Sequence, residues 1–313
     1  MNIKKRVFSL LSSCYVVGCL FAQNILISTP ATSLVLSAPE KGELKYIYYG
    51  AKLSDRDFQT IGSLDKGKYA AYPVYGLNCP SEVALAVKHN DGNMTLQLEV
   101  VKVESSHQDE ANLTIISLKD KVYPFYVKMF YKAYQDTDII EIWSEISHQE
   151  KKTVVLNQFA SAYLPIRKGD VWLSHLYGAW ANEGRLEEVP LEAGMKVIKN
   201  KDGVRNSHTA HAEVMFSLDG KPRENEGRVI GAALCYSGNY KLRIDTDESD
   251  YHHFFAGINE DNSTYNLKNG EIFRTPELAL TYSDEGLSGS SRNFHRWARS
   301  VSYTHLRAHE TSA

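Results

Sequence analysis

From Asn24 onward the chain is written in short runs that alternate apolar and polar residues, separated by turn residues, and no convincing helix of ten or more residues interrupts them before the terminus. Period-two alternation places apolar side chains on one face of an extended strand and polar ones on the other, so the pattern commits the chain to antiparallel sheets. In DIIEIWSEISH, Ile140, Ile142 and Ile146 fall on one face while Glu141, Glu145 and Ser147 fall on the opposite one. The run Val122 to Tyr134 reads the same way, with Pro124 marking a strand start or an edge because proline donates no ladder hydrogen bond. Turn signals recur at Lys41-Gly42, Asp91-Gly92-Asn93, Asp202-Gly203, Asp219-Gly220, Ser237-Gly238-Asn239 and Asn269-Gly270, a spacing that suits a large sandwich. Asp91-Gly92 and Asn269-Gly270 carry the residues that two-residue hairpins require, since each pair tolerates positive φ.

No internal repeat or low-complexity linker divides residues 25–295, so the 313 residues predict one contiguous all-β domain, a large antiparallel β-sandwich with long, curved strands. With 43% hydrophobic and 23% charged residues the core is ample. A formal net charge of -3 without a dense basic run removes the electrostatic case for nucleic acid or an anionic membrane surface, and the expected partner is uncharged. There is no Gly-rich phosphate loop between a strand and a helix and no Gly-x-Ser-x-Gly elbow, so no cofactor is expected.

Residues 1–22 combine Lys4, Lys5 and Arg6 with an apolar stretch from Val7 to Phe21 that is short for a membrane span, and they read as an export signal ending at Ala22. A second reading takes Val16-Val17-Gly18-Cys19 as a lipobox that would place a lipid on Cys19, against which stands the strand that begins almost at once. The protein is thus expected in the periplasm or outside the cell. Cys14 and Cys19 fall in this segment, leaving Cys79 and Cys235, which are too few for a disulfide framework and which sequence alone neither pairs nor separates. Residues 300–313 show no strand alternation and read as a non-native or disordered tail of the kind that adapter read-through produces.

Several clusters invite a chemical reading. His208-x-x-His211-x-Glu213 has the residue types of a metal site, but residues three apart on a strand point to opposite faces, so a hydrogen-bonded turn is expected and no metal. His305 and His309-Glu310 sit in the tail, and His252-His253 reads as a strand alternating between faces. The indole of Trp180 could stack on the apolar side of a pyranose or, as the expectation favours, pack in the core. Tyr72-Pro73-Val74-Tyr75-Gly76 reads as a rigid turn with aromatics packed beside Gly76, and it could also line a subunit contact.

Six landmarks in one order resemble the N-terminal sandwich of glycoside hydrolase family 36 α-galactosidases. They are Tyr48-Tyr49-Gly50-Ala51-Lys52-Leu53, the Tyr72–Gly76 turn, Leu173 to Trp180 followed by Glu183, Asn206-Ser207-His208, Gly231 to Asn239, and the run from Gly257 to Trp297. The resemblance covers most of residues 25–299 and implies a supersandwich of the galactose mutarotase-like kind at 23–299. It also implies hydrolysis of terminal α-galactosyl residues with retention, by two barrel aspartates about 5 to 5.5 Å apart. Neither aspartate lies in this chain, so no catalytic residue is assigned and the isolated chain is expected to be inactive. The family's sandwich helps to wall the active site, often across a subunit contact, through an Asp and an Arg ahead of the Tyr-Pro-x-Tyr-Gly turn. The nearest residues here are Asp55, Arg56 and Asp57, while Leu77-Asn78-Cys79-Pro80 departs from the family's Gly-Asp-Phe-Arg.

The implied partners are an α-galactoside oligosaccharide, reached through the barrel, and further copies of the chain. Two other readings stand beside this one: a stand-alone carbohydrate-binding sandwich, and a mutarotase-like epimerase. The second needs a His and a Glu converging in one concave pocket.

Overall fold

The computed structural model describes residues 23–40, 42–64, 67–76, 82–108, 110–205, 209–248 and 251–310. Residues 1–22, read above as an export signal and containing Cys14 and Cys19, together with Cys79, Asn206-Ser207-His208 and the side chains of His305 and His309, lie outside the described residues.

The described residues form three antiparallel sheets, as the alternation demands. Strands β1 (Gln23–Ser28), β2 (Thr32–Ala38) and β3 (Lys45–Ala51) make a three-stranded meander, followed by helix α1 (Asp55–Leu64) and β4 (Leu85–Lys88). Next come β5 (Leu98–Gln108), β6 (Ala111–Asp120), β7 (Phe125–Tyr134), β8 (Ile139–His148) and the long β9 (Val154–Arg167). Strands β10 (Trp172–Tyr177), β11 (Arg185–Pro190), β12 (Gly194–Lys199), β13 (Ala210–Ser217), β14 (Val229–Leu234), β15 (Tyr240–Thr246) and β16 (Tyr251–Ile258) follow. The chain closes with β17 (Tyr265–Leu267), β18 (Ile272–Arg274), β19 (Leu278–Ser283) and helix α2 (Gly286–Glu310).

A ten-stranded sheet runs in the order β11-β10-β13-β14-β19-β8-β7-β6-β5, with β18 also on β8. A six-stranded sheet runs β12-β15-β16-β9-β17, with β4 also on β9. One core joins the sheets: Phe216 of β13 meets Phe254 of β16 edge to face at 5.1 Å, and Ile140, Ile142 and Ile146 of β8 are buried as their alternation requires. Strand β9 departs from alternation because Phe159 to Ile166 is buried on both faces, one side against the core and the other under residues 67–76 and 82–84. These residues are tied down by Tyr72 Oη, which donates to Ala160 O at 2.7 Å, and by Arg243, which meets Glu82 and donates to Val83 O, both at 2.9 Å.

One local expectation is met and others change. Pro124 does mark a strand start, but β7 lies between β6 and β8 and is no edge. Asp91-Gly92 and Asn269-Gly270 do turn, with Gly92 N donating to His89 O and Glu271 N to Lys268 O, yet neither makes a hairpin. Strand β4 pairs with β9 while β5 pairs with β6, and β17 pairs with β9 while β18 pairs with β8, so each turn carries the chain between sheets. Local φ preferences fix a reversal; the partner of each strand is chosen by where its apolar face finds the core.

The expectation of no ten-residue helix fails at α1 and again at α2. Ser54 caps α1: Asp57 N donates to Ser54 Oγ at 3.2 Å and Ser54 Oγ donates to Asp57 Oδ2 at 2.7 Å. For α2, the otherwise unpaired first N–H groups of Gly286, Leu287 and Ser288 donate to the carbonyls of Gly227, Arg223 and Glu224. Phe294, Trp297 and Val301, at helical spacing, then pack on Ala111, Tyr134, Ile139 and Ala279 of the ten-stranded sheet. At β14 the helix comes so close that a Cβ on Gly231 would sit 2.3 Å from Ser290 Oγ and 2.7 Å from the Phe294 ring.

Candidate functional site

The residues singled out in the sequence separate into two places. Asp55, Arg56 and Asp57 open α1, exposed to solvent, where Asp57 is already engaged by the Ser54 cap. The helix is positioned by the strand before it: Lys52 N donates to Ala31 O and Lys52 Nζ to Thr29 O, and Asp138 accepts from Thr29 Oγ1 and Ala31 N. This anchors the start of α1 to the β7–β8 turn of the ten-stranded sheet.

Trp180 lies elsewhere, at the tip of the β10–β11 hairpin, and no hydrogen bond, ion pair or ring contact joins it to Asp55, Arg56 or Asp57. The core expectation for this residue fails, because its side chain is 84% exposed. The turn that holds it is tightly specified. Asn182 N donates to Ala179 O at 2.8 Å, Gly178 N to Thr209 O at 3.1 Å, and Ala181 N to Glu183 Oε1 at 3.0 Å. A side chain at Gly178 would run into Asn182 O at 2.5 Å, and Ala181 adopts φ 60, a left-handed conformation that costs an alanine about 1 kcal/mol.

The same hairpin walls a cleft of about 370 Å³ against helix α2. Ladder register decides which side chains enter it. Ser174 sits opposite Met215, and Leu176 opposite Leu186, so these four project from the outer face toward α2. From α2 come Leu287, Arg292 and Phe294, and Glu213 and Glu224 complete the polar rim. Glu213, weighed in sequence with His208 and His211 and expected there to belong to a hydrogen-bonded turn, is thus a cleft residue; His208 lies outside the described residues.

His175 contributes to the cleft wall but not to its chemistry. It is opposite Val214 and Glu187, so its imidazole points to the other face, where Nε2 meets Glu187 Oε2 at 2.5 Å. Lys196 of β12 donates to the same carboxylate at 2.8 Å, joining the two sheets at their edge. Burial, with Lys196 nearby, holds the His175 imidazole below its ordinary range, and the hydrogen bond from Lys196 holds the Glu187 carboxyl below its own. Elsewhere His89 is spent on Glu150, and His252 and His253 alternate between faces of β16 with Nδ1 atoms on Thr246 and Tyr163. An imidazole and a carboxylate facing a shared cavity, as an epimerase would need, do not meet in this cleft.

Cys235 is exposed and carries no disulfide among the described residues. Sequence reasoning missed the cleft because its residues come from β10, β11, β13, the 223–227 loop and α2, which no spacing connects. It also missed α1, although the Ser54-x-x-Asp57 capping pattern was a usable signal.

Residues 42–268 match the glycosyl hydrolase family 36 N-terminal domain. Among curated proteins, the alpha-galactosidase Mel36A of Lactobacillus acidophilus is 27% identical over 299 residues, covering 84% of this chain and 40% of that protein. Among solved structures, the GH36 alpha-galactosidase AgaA of Geobacillus stearothermophilus superposes with a TM-score of 0.80 at 23% identity, covering 87% of this chain and 42% of that one. A substituted form of AgaA solved in complex with raffinose superposes equally well, with a TM-score of 0.80. The chain therefore spans well under half the length of these relatives.

Proposed function

Because the chain belongs to the glycosyl hydrolase family 36 N-terminal domain family, we propose that it is the accessory sandwich of an exported α-galactosidase that releases terminal α-galactosyl residues from oligosaccharides with retention. The observation that carries this reading is the family match over 42–268 together with the α-galactosidase relatives, which extend well past the region shared with this chain. In this reading the two carboxylates that perform the displacement come from outside the sandwich, and the isolated chain is inactive.

The sandwich acts by shape. Helix α2 packs on the ten-stranded sheet through Phe294, Trp297 and Val301, and the exposed N-terminus of α1 and the Trp180 turn would be the surfaces that reach substrate or a second copy of the chain. Asp55 and Arg56 would contact sugar hydroxyls at the edge of an active site, since their side chains are exposed and Asp57 alone is held by the cap. Trp180 would stack on a pyranose face. The export signal at 1–22 would deliver the protein to the periplasm or the medium, where its oligosaccharide substrates are met.

Incubating the purified 313-residue chain with melibiose tests the core of the proposal. No free galactose is expected; galactose released at a rate proportional to the amount of chain would overturn it.

A further inference from the structure

We propose that the cleft between the β10–β11–β13 face and helix α2 binds a neutral pyranose ring, as a site distinct from the Trp180 turn. Its volume of about 370 Å³ falls in the range of small-ligand pockets, and like them it is chiefly apolar with a few convergent polar groups. The floor is built from Leu176, Met215 and Phe294, which offers a surface for the C–H face of a sugar ring.

The polar rim selects the ligand class. Glu213 is exposed and has no hydrogen-bond or ion-pair partner among the described residues, so its carboxylate is a standing acceptor. Glu224 already accepts from Ser288 Oγ and keeps a second oxygen for a ligand. On the donor side, Arg292 uses one nitrogen on Glu285 at 2.5 Å and retains further N–H groups. Ser174 is only 4% exposed, shares the cleft face with Met215, and its Oγ has no partner. An anion would face two carboxylates, and a cation would meet the Arg292 guanidinium. A hydroxyl donates and accepts at once, so a ring of hydroxyls with one apolar face fits both the rim and the floor.

Saturation-transfer NMR on the 313-residue chain, with galactose, melibiose and glucose as probes, tests the site. Transfer to ring protons is expected, with Glu213→Gln weakening binding about tenfold. Trp180→Ala removes the exposed indole as a second stacking surface; transfer should persist in that variant, and Ser291→Trp, which fills the cleft from the solvent side of α2, should abolish what persists. Circular dichroism melting checks that each variant is folded, and the two cleft variants act from opposite walls, so loss of one to misfolding leaves the other decisive. Three results overturn the proposal: no transfer at millimolar sugar, transfer lost in Trp180→Ala but kept in the cleft variants, or displacement of the sugar by putrescine or inorganic phosphate. The second of these would leave the Trp180 reading standing while removing this one.

Discussion

His89 Nδ1 lies 2.7 Å from Glu150 Oε1, and both side chains are withdrawn from solvent. Glu150 also accepts from Asn90 Nδ2 at 2.7 Å, and the Tyr123 ring stacks on His89 with centroids 3.7 Å apart. The pair ties the end of β4 in the six-stranded sheet to the end of β8 in the ten-stranded one. Asn269 Nδ2, donating to Glu150 O at 2.7 Å, brings in the β17–β18 turn. Removing one partner leaves the other buried without compensation, so Glu150→Ala is expected to cost about 3 to 5 kcal/mol. His89→Leu combined with Glu150→Leu should cost much less than the sum of the two single changes. Urea denaturation of the four proteins in the cycle measures the coupling, and additive losses would mean that the pair is not a unit.

Gly231 predicts how firmly α2 is seated. An alanine there would press on Ser290 Oγ and the Phe294 ring from the sheet below, so Gly231→Ala should push the helix outward and destabilise the domain by about 1 to 3 kcal/mol. Hydrogen exchange checks the location: protection should fall first in α2, with β7 and β16 unchanged. Uniform loss across the sheets would argue against a local effect.

The cap on α1 gives a smaller and more local expectation. Ser54→Ala removes both hydrogen bonds with Asp57 and should cost about 1 kcal/mol of helix stability. Exchange protection over Asp55 to Leu64 should drop while the main melting transition barely moves. A drop of several degrees in that transition would show that α1 is coupled to the core.

At the hairpin tip, Trp180→Ala should leave stability within about 0.5 kcal/mol, because the side chain gives up little contact when it is truncated. Ala181→Gly should raise stability by roughly 0.5 kcal/mol, the strain of φ 60 relieved less the entropy that glycine adds to the unfolded chain. Thermal melts decide both. Destabilisation by Trp180→Ala beyond about 1 kcal/mol would return the indole to a structural role.

How much of this was readable in advance follows from the range of each interaction. The alternation around Ile140, Ile142 and Ile146 is a property of consecutive residues and is present in the fold as read. The six family landmarks pointed to the domain family that the match over residues 42–268 then showed. Pairing partners of β4 and β17 were not legible, since Asp91-Gly92 and Asn269-Gly270 specify only a reversal while the destination depends on β9, far along the chain. Trp180 could not be placed because an indole suits core and surface alike, and its exposure arises from the Gly178 and Ala181 backbone. The cleft was out of reach for a different reason: Ser174, Glu213, Glu224 and Arg292 meet only once α2 folds back across the outer face of the sheet.

Acid should weaken the fold through its buried histidines. Burial, reinforced by the Lys168 and His253 charges, lowers the His252 imidazole from its ordinary 6.5 to about 4, so the folded protein resists a proton that the unfolded chain accepts readily. His253 is lowered in the same direction, first by burial, with Asp247 and Asp245 opposing the shift. Since the unfolded state binds more protons between these values, His252's contribution is whole above about pH 6.5 and is lost as pH falls toward 4. At about 1.4 kcal/mol per pKa unit the full loss from His252 comes to about 3 to 4 kcal/mol, and below about pH 4 both states are protonated and the dependence flattens. His252→Gln keeps a polar group near Thr246 Oγ1, which now lies 2.7 Å from Nδ1, but cannot titrate. Urea midpoints measured from pH 7.5 to 4 should therefore fall steeply for the parent chain and more shallowly for the variant. Parallel curves for the two proteins would rule out His252 as the source.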